Sequence, residues 1–248
     1  MSGHSHWAGI KHRKGVNDAK RAKVFTKLAR PITIAAKEGG SNPDTNFKLR
    51  LAIDKAREYN MPRENIDRAI ARGAGDAKGG VQIDELVYEG MFPFQEEAVS
   101  GTIALIIKTS TENKNRTVSE IKSILTKGGG KFVPTGSISF LFKEVGEIAM
   151  NVSRETLETA ELSAIEAGAE DTEYDEEEGV LCVYTPIPNL QAAEESLAQS
   201  GYKVASASIV YRPTERITLP NTARANFESF LEKLNDHDDV DTVYDNAE

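Results

Sequence analysis

Basic side chains are concentrated in the first forty residues of the chain. Only two carboxylates, Asp18 and Glu38, interrupt them. Phosphate recognition needs many cations with few competing carboxylates, because each cation that neutralises a phosphate also releases a counterion. A merely solvated face, the competing interpretation, usually mixes both signs. The pattern therefore predicts a nucleic-acid-binding surface, with the candidate residues Lys11, His12, Arg13, Lys14, Lys20, Arg21, Lys23, Lys27, Arg30 and Lys37.

One aromatic side chain stands among these cations. Trp7 is the only tryptophan of the chain, and residues 1–16 around it are polar, basic and glycine-containing. This composition is typical of a flexible arm rather than a packed element. Because aromatic rings beside cations stack on unpaired bases, Trp7 joins the candidate nucleic-acid-binding residues.

A second candidate for anion binding precedes a helix predicted over residues 117–127. The backbone N–H groups of a helix N-terminus, together with Arg116, can hold an anion. The pattern from Thr117 to Glu120 also fits a capping box, which explains the same segment as structure alone. Both interpretations stay open, and Arg116 is retained as a candidate.

A further basic set is interleaved with four carboxylates, so ordinary surface ion pairs are the favoured interpretation there. Its members are Arg50, Lys55, Arg57, Arg63, Arg68 and Arg72.

Histidines near the N-terminus invite a metal interpretation. If Met1 is removed, the sequence Ser2-Gly3-His4 offers nitrogen ligands that suit Cu(II), but His6 and His12 have no cysteine nearby. We regard copper binding as incidental and predict no functional metal site. The acidic runs 175–178 and 236–241 lack the ligand spacing of a calcium loop, and we predict solvated turns for both.

No catalytic signature is found in the sequence. The glycines at 128–130 lack the spacing of a phosphate loop and are predicted to end a helix. No Ser/His/Asp or Cys/His arrangement stands out. We therefore predict a non-enzymatic protein without a cofactor or a small-molecule substrate.

The charge is distributed unevenly along the chain. Residues 1–80 hold 17 Lys and Arg against 8 Asp and Glu, whereas residues 81–248 hold 13 against 31. A basic module joined to an acidic body is the expected arrangement. The sequence contains neither a secretory signal nor an apolar run long enough for a membrane. The single cysteine, Cys182, lies in an apolar run, so a buried thiol and a cytoplasmic location are expected.

Helical periodicity organises the first part of the chain. Three helices are predicted, the first from about residue 17 to Gly39, the second over residues 45–59 and the third from Met61-Pro62 to Gly73. Pro31 is expected to kink the first helix or to break it and restart it.

The pattern changes to α+β after a glycine-rich linker at residues 73–80. The predicted strands include 81–88, 102–109, 137–142 and 147–152, with a turn at Gly146 and an aromatic loop over residues 89–101. The fold class is α+β, with an N-terminal three-helix domain followed by two small split β-α-β, ferredoxin-like domains. The predicted domains are 1–80, a discontinuous domain of 81–136 plus 206–248, and an inserted domain of 137–205.

Several segments resemble the YebC/PmpR family, to which mitochondrial translational activators also belong. They are GHSHWAGIKHRKG (3–15), DAKRAKVFTKLAR (18–30), AAKEGG (35–40), LAIDKAREYNMPRENIDRAI (51–70), YEG (88–90), NRTVSEI (115–121) and HDDVDTVYDN (237–246). The resemblance implies three domains, with the third inserted in the second. It also implies nucleic-acid contact without catalysis, either as a DNA-binding transcriptional regulator or as a ribosome-associated factor for proline-rich nascent sequences.

Three positions depart from the family pattern. His6 stands where Lys is usual, and Pro31 stands where an acidic helix-former is usual. Residues 91–99 replace a glycine-rich turn, so no role of that turn is carried over.

Three functional hypotheses follow, and physics alone does not separate the first two. The first is a regulator that binds duplex DNA, although no clear helix-turn-helix with an exposed reading helix is seen. The second is a translation factor that binds ribosomal RNA or the ribosome, since a basic arm with one tryptophan suits unstacked bases. The third is a protein-interaction scaffold whose basic arm binds an acidic partner.

Overall fold

The computed structural model describes residues 18–75, 83–96 and 99–248, with side chains from Arg21 onward. It begins with a three-helix bundle made of α1 (Asp18–Gly39), α2 (Phe47–Glu58) and α3 (Arg63–Ala74). The elements that follow in the chain are β1 (Asp84–Glu96), β2 (Val99–Thr111), α4 (Lys114–Lys127), β3 (Lys131–Val133), β4 (Phe142–Asn151), α5 (Leu157–Glu166), β5 (Asp171–Asp175), β6 (Val180–Thr185), α6 (Leu190–Gln199), β7 (Val204–Pro213), α7 (Asn221–Asn235) and β8 (Val240–Asp245).

The bundle is stabilised by a small apolar core and by one capping side chain. Ile32, Leu49 and Ile53 bury their side chains where the three helices meet. Asn46 caps α2 by accepting the N–H of Leu49, and its amide donates to the carbonyls of Ala35 and Gly40 at the end of α1. One buried amide therefore satisfies polar groups at two helix ends.

Helix α1 runs through Pro31 as a single 22-residue helix, so the alternative of a break at this proline is wrong. Packing explains why the helix continues, because Ile32 and Ala35, in the turn that follows the proline, are fully buried. Helix α3 crosses α1 very closely at Gly73. A Cβ atom there would lie 2.3 Å from the carbonyl oxygen of Thr33, so only glycine permits this approach.

The first sheet has the order β3-β1-β2-β8, with the β1–β2 hairpin at its centre. The predicted exposed aromatic loop over residues 89–101 is wrong, because β1 extends to Glu96 and pairs with β2 along its length. Phe92 and Phe94 alternate with Pro93 and therefore point to the same face, where both are buried. The ring centroids of Phe92 and of Phe230 in α7 are 4.8 Å apart.

The second sheet has the order β5-β6-β4-β7. This is the strand order of a split β-α-β fold. The prediction of two strands with a turn at Gly146 is wrong, because Gly146 lies inside the single strand β4. A side chain there would lie within 3 Å of Thr185 and Leu190, so the glycine permits close packing rather than a turn. Cys182 is buried in β6 as expected.

The predicted α+β class, with a helical region before two four-stranded sheets, is confirmed. The described residues fall into two compact units, one of Lys143–Arg212 and one that combines the bundle and first sheet with Pro213–Glu248. Strand β7 belongs to the second sheet, so a border at residue 206 would cut it; the three-domain division itself stays a prediction. No helix in the described ranges is long and apolar enough to cross a membrane.

Candidate nucleic-acid interface

The predicted nucleic-acid-binding residues lie in three places: before the described residues, on α1, and in α4. Trp7, Lys11, His12, Arg13 and Lys14 lie outside the described residues, and so does the side chain of Lys20 at the start of α1. The remaining cations lie on α1, except for Arg116 in α4. Arg21 and Lys37 are exposed near the two ends of α1, whereas Lys27 and Arg30 are half-buried.

Three cations of α1 contact the segment that runs from the last residue of α7 to the residue before β8, which we call the acidic loop (residues 235–239). Lys23 forms an ion pair of 3.0 Å with Asp238, and both side chains are largely exposed. Lys27 donates to the main-chain carbonyl of Asn235, the last residue of α7. A cation at this position suits the negative end of the helix dipole.

Arg30 is the most enclosed of these cations. Its side chain is 15% exposed and donates to the main-chain carbonyls of Ser110 and Asp238. It also lies 3.1 Å from Oδ1 of Asp239, without the alignment of a hydrogen bond. These contacts join α1 to the end of β2 and to the acidic loop.

Asp239 is the centre of this arrangement. Its side chain is 1% exposed, and its Oδ2 accepts hydrogen bonds from Arg116 and Thr117, each at 2.7 Å. Burial acts to raise the pKa of Asp239, but the hydrogen bonds from Thr117 and Arg116 and the charge of Arg30 outweigh it and hold that pKa below its ordinary value. Asp239 is therefore an ionised, buried carboxylate held between two arginines.

The acidic run at 236–241 is thus not a solvated turn, and that prediction is wrong. Asp239 is buried by its arginine partners, and Asp241 accepts a 2.6 Å hydrogen bond from Ser110. Burial raises the pKa of Asp241 to about 6 despite this hydrogen bond. No sequence pattern within the run separates these two residues from the exposed Asp236 and Asp238.

The start of α4 also differs from the prediction. Helix α4 begins at Lys114, and Asn113 is its cap because its side chain accepts the N–H of Arg116. The alternative of a capping box from Thr117 to Glu120 is therefore wrong. Arg116 sits in the first turn, and its guanidinium pairs with Asp239. The hydrogen bond from Arg116 to that carboxylate raises the pKa of Arg116 further.

Glu120, His237 and Asp239 are close enough to suggest a metal site, with one ligand atom from each lying within 4.8 Å of the others. Their hydrogen bonds argue against it. The Asp239 N–H donates to Nδ1 of His237, so the ring proton is on Nε2, which donates to Glu120 at 2.9 Å. A metal ion on Nε2 would force a proton onto Nδ1, opposite another donor.

Arg50, Arg57 and Arg63 of the second basic set make contacts within the bundle. Arg57 pairs with Asp54 at 2.9 Å, and Arg63 pairs more loosely with Asp67 at 3.6 Å. Arg50 lies over the ring of Phe47. These contacts fit the interpretation of ordinary surface pairs.

Comparison with known proteins identifies the family. A sequence model described as the TACO1/YebC protein N-terminal domain matches residues 5–76, and one described as the TACO1/YebC second and third domain matches residues 83–247. The chain belongs to the TACO1/YebC family. The resemblance seen in the sequence is thereby confirmed.

Sequence similarity to known proteins covers the whole chain. A probable transcriptional regulatory protein of Caldanaerobacter subterraneus is 43% identical and aligns over 100% of this chain and 98% of its own length. One from Idiomarina loihiensis is also 43% identical, over 100% and 96%. The crystal structure of a conserved hypothetical protein from Aquifex aeolicus is 39% identical, covers 98% of this chain and 97% of its own, and has a TM-score of 0.84.

Proposed function

We propose that this TACO1/YebC family member is a non-enzymatic, nucleic-acid-binding regulator of gene expression that acts in the cytoplasm. The observation that carries the proposal is the surplus of cations over carboxylates in residues 1–37, where Asp18 is the only acidic residue. Similar proteins named probable transcriptional regulatory proteins support a regulatory role.

The contacts of α1 divide the candidate residues by role. Lys23, Lys27 and Arg30 hold the bundle against the acidic loop, and Arg116 of α4 pairs with the same loop, so the charges of these residues are already partly neutralised. The phosphate contacts are therefore assigned mainly to the basic arm, which we define as residues 1–17, and to the exposed Lys37.

The test is the salt dependence of binding to a labelled 20-base-pair duplex and to a structured RNA fragment. Replacing Lys11, Arg13 and Lys14 by Ala removes about three phosphate contacts, so the slope of log K against log salt should fall by about 2.7 for duplex DNA. A matched triple variant with the same charge change, at the exposed Lys127, Lys131 and Lys203, should leave that slope unchanged. Equal slopes for the two triple variants would contradict the proposal.

The second candidate is a translation factor that binds the ribosome. The engagement of Lys23, Lys27 and Arg30 favours it, because a continuous cationic helix face for a regular duplex is reduced and the remaining interface is mostly the arm. An arm with one tryptophan suits irregular RNA. Comigration with ribosomes on a sedimentation gradient, abolished by high salt, would support this candidate, whereas a footprint on one promoter without comigration would favour DNA.

A further inference from the structure

Two exposed aliphatic side chains lie side by side on α5. Among the residues that the structure describes, the large apolar side chains with the greatest exposure are Val99 (51%), Phe140 (72%), Leu162 (58%) and Ile165 (63%). Leu162 and Ile165 are three residues apart on one helix and are therefore neighbours on its surface. Val99 and Phe140 belong to other elements.

Carboxylates surround this pair. Glu158 precedes Leu162 by one turn, Glu161 precedes Ile165 by one turn, and Glu166 follows directly. Helix α5 contains no Lys or Arg, and residues 143–212 hold 15 Asp and Glu against 4 Lys and Arg. We call this surface the α5 patch. A complementary partner for the α5 patch is a cationic segment that carries two apolar side chains.

The basic arm has this chemistry. Residues 1–17 contain no carboxylate, and their cations follow Trp7 and Ile10, which are themselves three residues apart. We propose that the α5 patch binds the basic arm of the same chain and competes with nucleic acid for it. This inference rests on the proposed function, because the arm is the segment assigned to phosphates.

The length of the arm and the small size of the α5 patch favour a contact within one chain over a contact between two copies. A segment of 17 residues spans up to about 60 Å when extended. A 70-residue unit such as Lys143–Arg212 has a radius of gyration of about 11 Å. Two aliphatic side chains fall far short of the roughly 800 Å² per partner of a stable dimer. A tethered arm, in contrast, is present at a millimolar effective concentration.

Docking of the arm lowers the apparent affinity for nucleic acid, because only molecules with a released arm bind. If the arm is docked about 70–90% of the time, a variant that cannot dock it binds roughly threefold to tenfold more tightly. The gain shrinks at high salt, since the contact between patch and arm is partly ionic.

Trp7 makes the contact measurable, because it is the only tryptophan. The full chain is compared with a synthetic peptide of residues 1–17 and with the variant L162S/I165S. Both serines replace exposed side chains, so we expect the variant to keep the fold. Trp7 emission in the full chain should lie at shorter wavelength than in the peptide, and L162S/I165S should restore the peptide value. The control V99S, which removes an exposed aliphatic side chain elsewhere, should match the wild type.

Binding to a labelled RNA or DNA fragment completes the test. L162S/I165S should bind threefold to tenfold more tightly than the wild type and V99S. Equal Trp7 emission and equal affinity for wild type and L162S/I165S would overturn the inference, and so would a blue shift that appears only as protein concentration rises. The proposed function is tested separately by the arm variants, and it stands if they lose binding whatever the α5 variants do.

Discussion

Replacement of Asp239 by Asn removes the buried negative charge on which Arg30 and Arg116 converge. The side chain of Asp239 is 1% exposed, and that of Arg30 is 15% exposed. Breaking a buried ion pair from one side costs about 3–5 kcal/mol, mostly because a buried charge is left without its partner. Arg116 is half exposed and Arg30 keeps two carbonyl acceptors, so we expect about 3 kcal/mol, the lower end of that range.

Urea unfolding measured by circular dichroism provides the assay. With a slope of about 2 kcal/mol per molar urea, a loss of 3 kcal/mol lowers the midpoint by about 1.5 M. The matched control is D238N, because Asp238 is largely exposed and its pair with Lys23 is worth less than about 1 kcal/mol. A D239N midpoint within 0.5 M (~1 kcal/mol at this slope) of the D238N midpoint would refute the assignment of Asp239 as the centre of the arrangement.

The pH dependence of the same variant has a defined sign. The pKa of Asp239 is held below its ordinary value in the folded state, so the charge stabilises the protein above the unfolded-state value near 4. That stabilisation is lost as the pH falls through the folded-state pKa. The midpoints of the wild type and D239N should therefore differ fully at pH 7 and converge at low pH. A difference that persisted unchanged at low pH would point to packing rather than charge.

Two further outcomes follow from the same packing and electrostatics. The variant G73A places a methyl group 2.3 Å from the carbonyl oxygen of Thr33, so urea unfolding should show a loss of stability of about 1–3 kcal/mol. The control G75A lies at an exposed helix end with a positive φ, so it measures backbone strain without the clash. Burial raises the pKa of Asp245 to about 6, so ionisation of this carboxyl destabilises the folded state as the pH rises from about 4 to 6. The variant D245N should therefore be more stable than the wild type at pH 8 but not at pH 4. A stability difference between D245N and the wild type that is the same at both pH values would contradict this.

Local pattern was sufficient for most of the helices. The helices α1, α2 and α3 follow from apolar side chains at helical spacing, since periodicity acts within a few residues. The caps Asn46 and Gly75 were not predicted and come from the structure. The predicted turn at Gly146 and the aromatic loop around Phe92 were wrong for a common reason. A glycine or an aromatic run has the same local pattern in a turn as in a packed strand. Packing against α6 at Gly146 and against α7 at Phe92 determines that both segments are strands.

The sequence by itself determined that the cations gather in the N-terminal forty residues, because charge content needs no folding. Which of them are engaged by distant segments of the protein was decided by the tertiary structure. Lys27 and Lys37 are equivalent in type and both lie on α1, yet Lys27 contacts Asn235, 208 residues away, whereas Lys37 is exposed. The partners of a charged side chain depend on which distant segments folding brings together, and periodicity along one helix carries no information about that.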